Sequence, residues 1–291
     1  AKAGEDITIY AAGIPAGETV TVYATQFNAE ASTWRASMGT LRNGRNVLTV
    51  PQIGSQNTPR GGSLYVTYGG SAPQDIQLHI RRTVEIPLLA LDGWFDMSEK
   101  DRQTEIGLYV DALTGYCAAQ GITSANRDTH CLNVTELSLP SVLLSLPAAA
   151  VQSALGPNRA EAVETLYDNV LAWEDVMRIC ETTQGIDETG AGGMTSRQNI
   201  RCMQMFAGAF MYAAGSHIGI GYGSCSGMVC GKPLSSLEPG AQINRLFGWG
   251  IAHEIGHNMD KLGQAEITNN LYSLMVQTAD GGKNILPSRL E

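Results

Sequence analysis

The sequence has no block of lysine or arginine, and its 28 acidic against 19 basic residues leave a net charge of -9. Nucleic acids and anionic membranes both need a basic footprint, so neither is an expected partner. An acidic balance alone names no substrate. No stretch approaches the roughly 20 apolar residues of a membrane span, so none is expected. The start, "AKAGEDITIY", has neither an initiator Met nor a signal-peptide pattern, as expected of a trimmed or processed chain. Internal repeats and low-complexity tracts are absent. No cysteine precedes Cys117, and none of the six forms the C-x-x-C pair of a thiolate zinc or redox site.

What is present is a chain of 291 residues, 43% hydrophobic and 16% charged, able to bury one or two proper cores. Such a composition excludes a disordered segment and a disulfide-only miniprotein. An even number of cysteines confined to one region suits an oxidising compartment, and disulfides are the expected state. Cys225 and Cys230 would close a short Gly/Ser loop, and Cys117 and Cys131 would bracket a polar turn. Buried free thiols are the alternative, because cysteine is often a small core residue.

From residue 5 to about 84, short β-rich runs such as "DITIYAAG", "ETVTVYAT" and "GSLYVTYGG" are punctuated by Gly, Pro and Asn turns. Val20 and Val22 alternate with Thr19, Thr21 and Tyr23, the period of half-buried strands, and the region reads as a small β-sandwich. Beyond "EIPLLALDGW" the period becomes helical. Ser98 can cap a helix carrying Ile106, Tyr109, Val110 and Leu113, and Val163, Leu166, Val170, Trp173 and Met177 repeat the pattern. A boundary near residue 85 follows. Residues 197–223 are apolar and glycine-spaced without a helical face, and strands are expected there.

In "WGIAHEIGHNMDKLGQAEITNN", His253 and His257 stand four apart, so on a helix they project from one face and can meet one ion. Glu254, rotated about 100° from His253, is placed beside that ion as a base and not as a ligand. With 5 histidines in 291 residues, chance gives this pattern in fewer than about one chain in a hundred. The bland reading is an amphipathic helix whose histidines meet polar neighbours. Glu266 is the expected third ligand, but nine residues past His257 it would face away on an unbroken helix. Gly263 can end the first helix near Leu262 and let a second begin near Gln264, turning Glu266 back to the metal. Asn270, four past Glu266, is then suited to hydrogen-bond the outer nitrogen of a ligand histidine; spacing alone equally allows a surface amide.

H-E-x-x-H followed after eight residues by Glu, with "EITNNLYSL" around it, resembles the gluzincin site of the enhancin-like zinc metallopeptidases, a family that attacks mucins and other O-glycosylated proteins. The match is strongest over residues 249–278, with echoes in "GGSLYVTYGG" and "MYAAGSHIGIGYG". The resemblance implies one zinc ion held by His253, His257 and Glu266, Glu254 as catalytic base, and Trp249 in contact with a substrate sugar. Without it, Trp249 reads as a core aromatic. The implied fold is α+β, with the β-sandwich over residues 1–85 and a zincin, thermolysin-like catalytic domain over residues 86–291 whose metal site lies on helices. One departure matters: 25 residues follow Glu266, fewer than the family's catalytic domain carries, so the chain is expected to stop inside or at the end of that domain. Arg289 is a sugar-binding candidate, with a solvated terminal charge the favoured alternative.

The expected function is a secreted or cell-surface zinc endopeptidase acting on mucin-type glycoproteins. The rivals are a gluzincin peptidase indifferent to glycans and an inactive carbohydrate- or glycoprotein-binding protein. An intact Glu254 argues against the last. Tyr222, Tyr272 and His217 are oxyanion candidates, each more readily explained by packing, and "GSHIGIGYG" is the candidate cleft-edge strand for substrate backbone.

Overall fold

The computed structural model describes residues 3–25, 34–53, 63–70, 75–91, 93–123, 125–126, 130–186, 197–206, 208–236, 244–260 and 262–279. The N-terminal strands are β1 (Asp6–Ala12), β2 (Val20–Thr25), β3 (Arg35–Thr40), β4 (Gly44–Thr49), β5 (Leu64–Tyr68) and β6 (Gln77–Arg81). They form two antiparallel three-stranded sheets, ordered β4-β1-β6 and β3-β2-β5. The period-two pattern explains their packing. Ile7, Ile9 and Ala11 of β1 and Val20, Val22 and Ala24 of β2 are buried in one cluster while their sequence neighbours face outward.

The rest of the chain is a mixed helix-and-sheet structure. It comprises β7 (Leu88–Ala90), α1 (Glu99–Gln120), β8 (Thr135–Ser138), β9 (Val142–Leu146), α2 (Ala148–Leu155), α3 (Arg159–Gln184), β10 (Gln198–Cys202), β11 (Met211–Ala213), β12 (Ile218–Ile220), α4 (Trp249–Met259) and α5 (Asn269–Ala279). Ser98 caps α1 by accepting the Asp101 N–H, and Asn158 caps α3 through the N–H groups of Ala160 and Glu161. Six strands form one mixed sheet in the order β11-β12-β10-β9-β8-β7, parallel except that β11 pairs antiparallel with β12 at one edge and β8 pairs antiparallel with β9. Ile106, Tyr109 and Leu113 of α1 and Leu166, Val170 and Trp173 of α3 pack with Leu144, Ile200 and Ile218 of the sheet in one core. Among the described residues, no helix is long and apolar enough to cross a membrane.

A buried polar network joins the N-terminal sheets to the six-stranded sheet. Glu136 of β8 accepts from Ser63, from Tyr65 and from Ser145, and lies 3.7 Å from the Arg201 guanidinium. Arg201 in turn donates to Ser145 at 2.9 Å and to Tyr65 at 3.0 Å, and stands 4.5 Å over the Trp34 ring. Burial pushes the Tyr65 hydroxyl far above the usual phenol range, so it stays a donor to the carboxylate.

The expected disulfides are not formed; all six cysteines are free thiols. Cys225 and Cys230 point apart: Cys225 Sγ donates to Gly221 O within its own turn, whereas Cys230 Sγ turns to Ala154 O, each at 3.6 Å. Cys117 is a core residue of α1 whose thiol burial pushes up to about 11. Cys225 meets Cys202 instead, and that hydrogen bond, together with burial, raises its pKa well above the ordinary thiol value.

Glu136→Ala leaves the Arg201 charge buried without its carboxylate, an effect worth about 3 to 5 kcal/mol. Thermal unfolding should show a large drop in Tm, whereas Asp111→Asn, at the exposed pair with Arg159, should shift it little. Equal shifts for the two variants would show that the network is not a stabilising element.

Candidate metal centre

α4 begins at Trp249 and ends at Met259, shorter than the sequence expectation of an end near Leu262. Asp260 breaks it with extended backbone, and its carboxylate accepts from the Leu262 N–H and the Thr268 hydroxyl, pinching the following loop closed. Gly263 has φ 73°, the left-handed turn its residue type favours. The expected second helix starts at Asn269, not near Gln264. Glu266 therefore lies in a turn and not on a helix, and its own φ of 65° is a conformation that a non-glycine residue rarely adopts. The turn, not helical periodicity, brings it round to α4.

The histidines and Glu266 converge. His253 Nε2 lies 3.2 Å from one Glu266 carboxylate oxygen and His257 Nε2 lies 3.2 Å from the other. The two imidazoles are perpendicular with centroids 4.8 Å apart. One donor atom from each of the three residues falls within 4.8 Å of the others. Asn270 Oδ1 is 2.8 Å from His253 Nδ1, and because a carbonyl oxygen only accepts, the ring proton sits on Nδ1 and the Nε2 lone pair faces Glu266. Asn270 Nδ2 also donates to the Glu266 carbonyl at 2.8 Å, holding the turn.

This donor set fits a metal ion. Imidazole nitrogens and carboxylate oxygens that face one another across 3.2 Å need a cation or a proton between them. Donor atoms about 2.1 Å from a tetrahedral ion stand roughly 3.4 Å from each other, close to the separations found here.

A glycine allows the second half of the site to approach the first. A Cβ on Gly256 would meet Asn269 O at 2.8 Å and Asn269 Cβ at 2.9 Å, so α4 and α5 touch backbone to backbone between the two histidines. Asn269 is wholly buried there, with its Nδ2 3.0 Å from His257 Nε2. Gly256 and Asn269 were not anticipated from the sequence; the small residue inside H-E-x-x-H and the doubled Asn were the available signals.

The centre opens into a cavity of about 540 Å³, lined by Trp249, His253, Glu254, His257 and Glu266 on one side and by Phe206 and residues 208–215 on the other. Glu254 is nearly buried on this cleft. Trp249 opens α4 with a half-buried ring outside the core clusters, and its Nε1 is buried with no hydrogen-bond partner among the described residues. The cleft-edge strand is β11, "MYA", and not "GSHIGIGYG", whose strand β12 is the second in the sheet. Gly250 packs closely beside it: a Cβ there would stand 3.0 Å from the side-chain atoms Phe210 Cε2 and Met211 Sδ. None of the oxyanion candidates lines the cleft: His217 is wholly buried against Tyr212 OH at 3.1 Å, Tyr272 is in the core, and Tyr222 packs against it. Arg289 lies outside the described residues.

A profile of the peptidase M60, enhancin and enhancin-like family matches residues 133–284, just over half of the chain, and that stretch holds every residue of the centre. The chain belongs to this family. Among solved structures, the M60 chain resembles the ZmpB metallopeptidase of Clostridium perfringens, with a TM-score of 0.67 and 22% identity over 96% of this chain and 50% of that one. The M60 catalytic domain of Clostridium perfringens ZmpC, solved with the sialyl T antigen, matches with a TM-score of 0.65 and 21% identity over 96% and 50%. A metallopeptidase solved with the Tn antigen matches with a TM-score of 0.56 and 18% identity over 94% and 44%. At these identities the likeness speaks for the fold, and this chain spans about half the length of those structures. No curated protein matches significantly.

Gly256→Ala should force α5 away from α4 by a clash with backbone, where overpacking costs about 1 to 3 kcal/mol. The expected result is a lower Tm together with a lower metal content after dialysis, read by elemental analysis. Full metal content at unchanged Tm would show that the close approach is not required.

Proposed function

We propose that this M60 chain carries the catalytic centre of a zinc endopeptidase that cleaves O-glycosylated, mucin-type proteins outside the cell or at its surface. The observation that carries the reading is the convergence of His253, His257 and Glu266 in a cleft that also holds Glu254 and Trp249. In this reading residues 1–85 are a β-sandwich, built from the two N-terminal sheets that share a core, and residues 86–291 form a zincin-type domain.

His253, His257 and Glu266 would hold the zinc, two nitrogens and one carboxylate being a donor set for a catalytic site of this metal. Such an ion supplies Lewis acidity, polarising a carbonyl and acidifying water. Asn270 fixes the His253 tautomer, which keeps the Nε2 lone pair toward the centre. Glu254 takes the proton of the attacking water and passes it to the leaving amine. β11 is an edge strand of its sheet and borders the cleft, where an extended peptide can add as a further strand. Trp249, on the cleft wall, supplies a flat apolar ring for a sugar's C–H face. The sialyl T and Tn antigens in two of the solved relatives support a glycoprotein substrate for this chain.

His253→Ala and His257→Ala should each lose most of the zinc, which metal analysis reads directly. Glu254→Gln should keep it and lose about 10² to 10⁴-fold in turnover, because an amide of the same shape accepts no proton. Activity within a few-fold of wild type in Glu254→Gln would assign the base elsewhere.

Trp249→Ala should cut cleavage of an O-glycosylated substrate by at least about tenfold, roughly 1.4 kcal/mol, with zinc content unchanged. Product mass spectrometry on a mucin-type glycoprotein, before and after enzymatic removal of its O-glycans, is the companion measurement. Cleavage that survives deglycosylation unchanged favours a peptidase indifferent to glycans, and a sharp fall in the Tm of Trp249→Ala makes the ring a packing residue.

A further inference from the structure

We infer that the cavity between the N-terminal sheets and the six-stranded sheet is a second binding site, one that takes a small organic cation: a primary ammonium on an apolar body. The cavity is about 830 Å³, within the size range of small-molecule sites. It shares no lining residue with the cleft at the metal centre, so the inference is independent of that centre. Its apolar wall is Leu64 of β5, Leu78 and Ile80 of β6, Leu88 of β7, and Val134 just before β8. β5, β6 and β7 are each the edge of a sheet, so the cavity lies where the sheets end. Leu88 is 57% exposed and Val84, also in the lining, 42%, so the cavity opens to solvent past apolar side chains that belong to neither core cluster.

The polar end of the cavity is Glu136. Its side chain is 5% exposed and forms part of the lining. The donors it meets converge on one oxygen. The hydroxyls of Ser63 at 3.2 Å, of Ser145 at 2.9 Å and of Tyr65 all donate to Oε1, and the Arg201 guanidinium stands 3.7 Å from that same oxygen. Burial holds the Tyr65 phenol protonated, so its donation to Oε1 persists. Oε2 receives none of these hydrogen bonds. A carboxylate so far withdrawn from water leaves such an oxygen in need of a donor, and the cavity is the space from which one can come.

Charge decides between the donors that could fill that role. The lining carries the carboxylates of Glu5, Glu85 and Glu136 against the guanidinium of Arg82. Arg201 balances Glu136 from its Oε1 side, and with it included the surroundings remain acidic. An ammonium is drawn by that field and donates a charge-assisted hydrogen bond, stronger than the bond from a neutral hydroxyl, whereas a carboxylate is repelled. The apolar wall takes the hydrocarbon body out of water.

The experiment is a ligand-observed NMR titration of the whole chain with n-hexylamine, which is charged at neutral pH, n-hexanol and n-hexanoate, on wild type, Glu136→Gln and Leu78→Trp. The probes share one hydrocarbon body and differ in the head. Wild type should bind hexylammonium about tenfold more tightly than hexanol, with hexanoate weakest. Glu136→Gln keeps the shape and an acceptor oxygen but loses the charge, and should bring amine and alcohol to within about twofold of each other. Leu78→Trp should fill the cavity from β6 and lose every probe, while leaving Ser63, Tyr65, Ser145 and Arg201 in place around Glu136. Where Glu136→Gln fails to fold, Leu78→Trp, checked by thermal melting, carries the test. Equal binding of amine and alcohol by wild type, binding of no probe, or amine binding that persists in folded Leu78→Trp overturns the inference.

Discussion

Gly256 has no side chain where α4 lies against the start of α5, and a Cβ there would stand 2.8 Å from the Asn269 carbonyl oxygen. The remainder of the centre depends on that contact. Because the two backbones touch, α5 delivers Asn269 between the imidazoles and Asn270 onto His253 Nδ1, and the turn before it places Glu266 against both Nε2 atoms. Hydrogen bonds of this kind lose most of their strength within a few tenths of an ångström, so a helix pair held apart by one methyl group could not make all of them at once. The approach is locked at a second point, where Ser273 donates to the Trp249 carbonyl at 3.0 Å.

The same helix meets the sheet through a second glycine. Gly250 lets Phe210 and Met211 come against the first turn of α4, so the edge strand and the histidines border one cleft. That strand is held by β12, β12 by β10, and β10 carries Arg201 into the polar network with Glu136, Tyr65 and Trp34. A continuous chain of contacts therefore runs from the N-terminal sheets to the cleft wall. The N-terminal region contributes a tyrosine, a serine and an aromatic face to a charge buried on the six-stranded sheet, which ties its placement to that sheet's stability.

Local patterns made part of this architecture legible. Alternation in β1 and β2 named the buried faces, Ser98 named its helix start, and the spacing of His253 and His257 named the face of α4 that meets Glu266. Contacts between distant segments were not legible. Glu266 reaches the centre through a left-handed turn closed by Asp260 and Thr268, a geometry that helical periodicity does not encode. The edge strand was misassigned because Met211–Ala213 and Ile218–Ile220 are equally apolar, and only pairing partners decide which is outermost. Cysteine spacing misled for a related reason: nearness in sequence said nothing of where the Cys225 and Cys230 thiols point.

Exposure is unequal across the three residues of the centre, and this orders what each can do. The His253 side chain is 8% exposed and that of His257 21%, whereas Glu266 is 66% exposed. The imidazoles are held by α4, with Asn270 on the His253 ring and Asn269 between the two rings. The Glu266 carboxylate belongs to a turn whose left-handed backbone is unfavourable for its residue type, by roughly 1 kcal/mol or more, and is held by the Asp260 clamp and the Asn270 amide. Two largely buried nitrogens and one solvent-facing oxygen thus make up the centre, the carboxylate being the member most open to solvent. Directional imidazoles on a helix and a solvent-facing carboxylate on a turn divide the centre into a part whose donor directions are set by packing and a part that stays open to solvent.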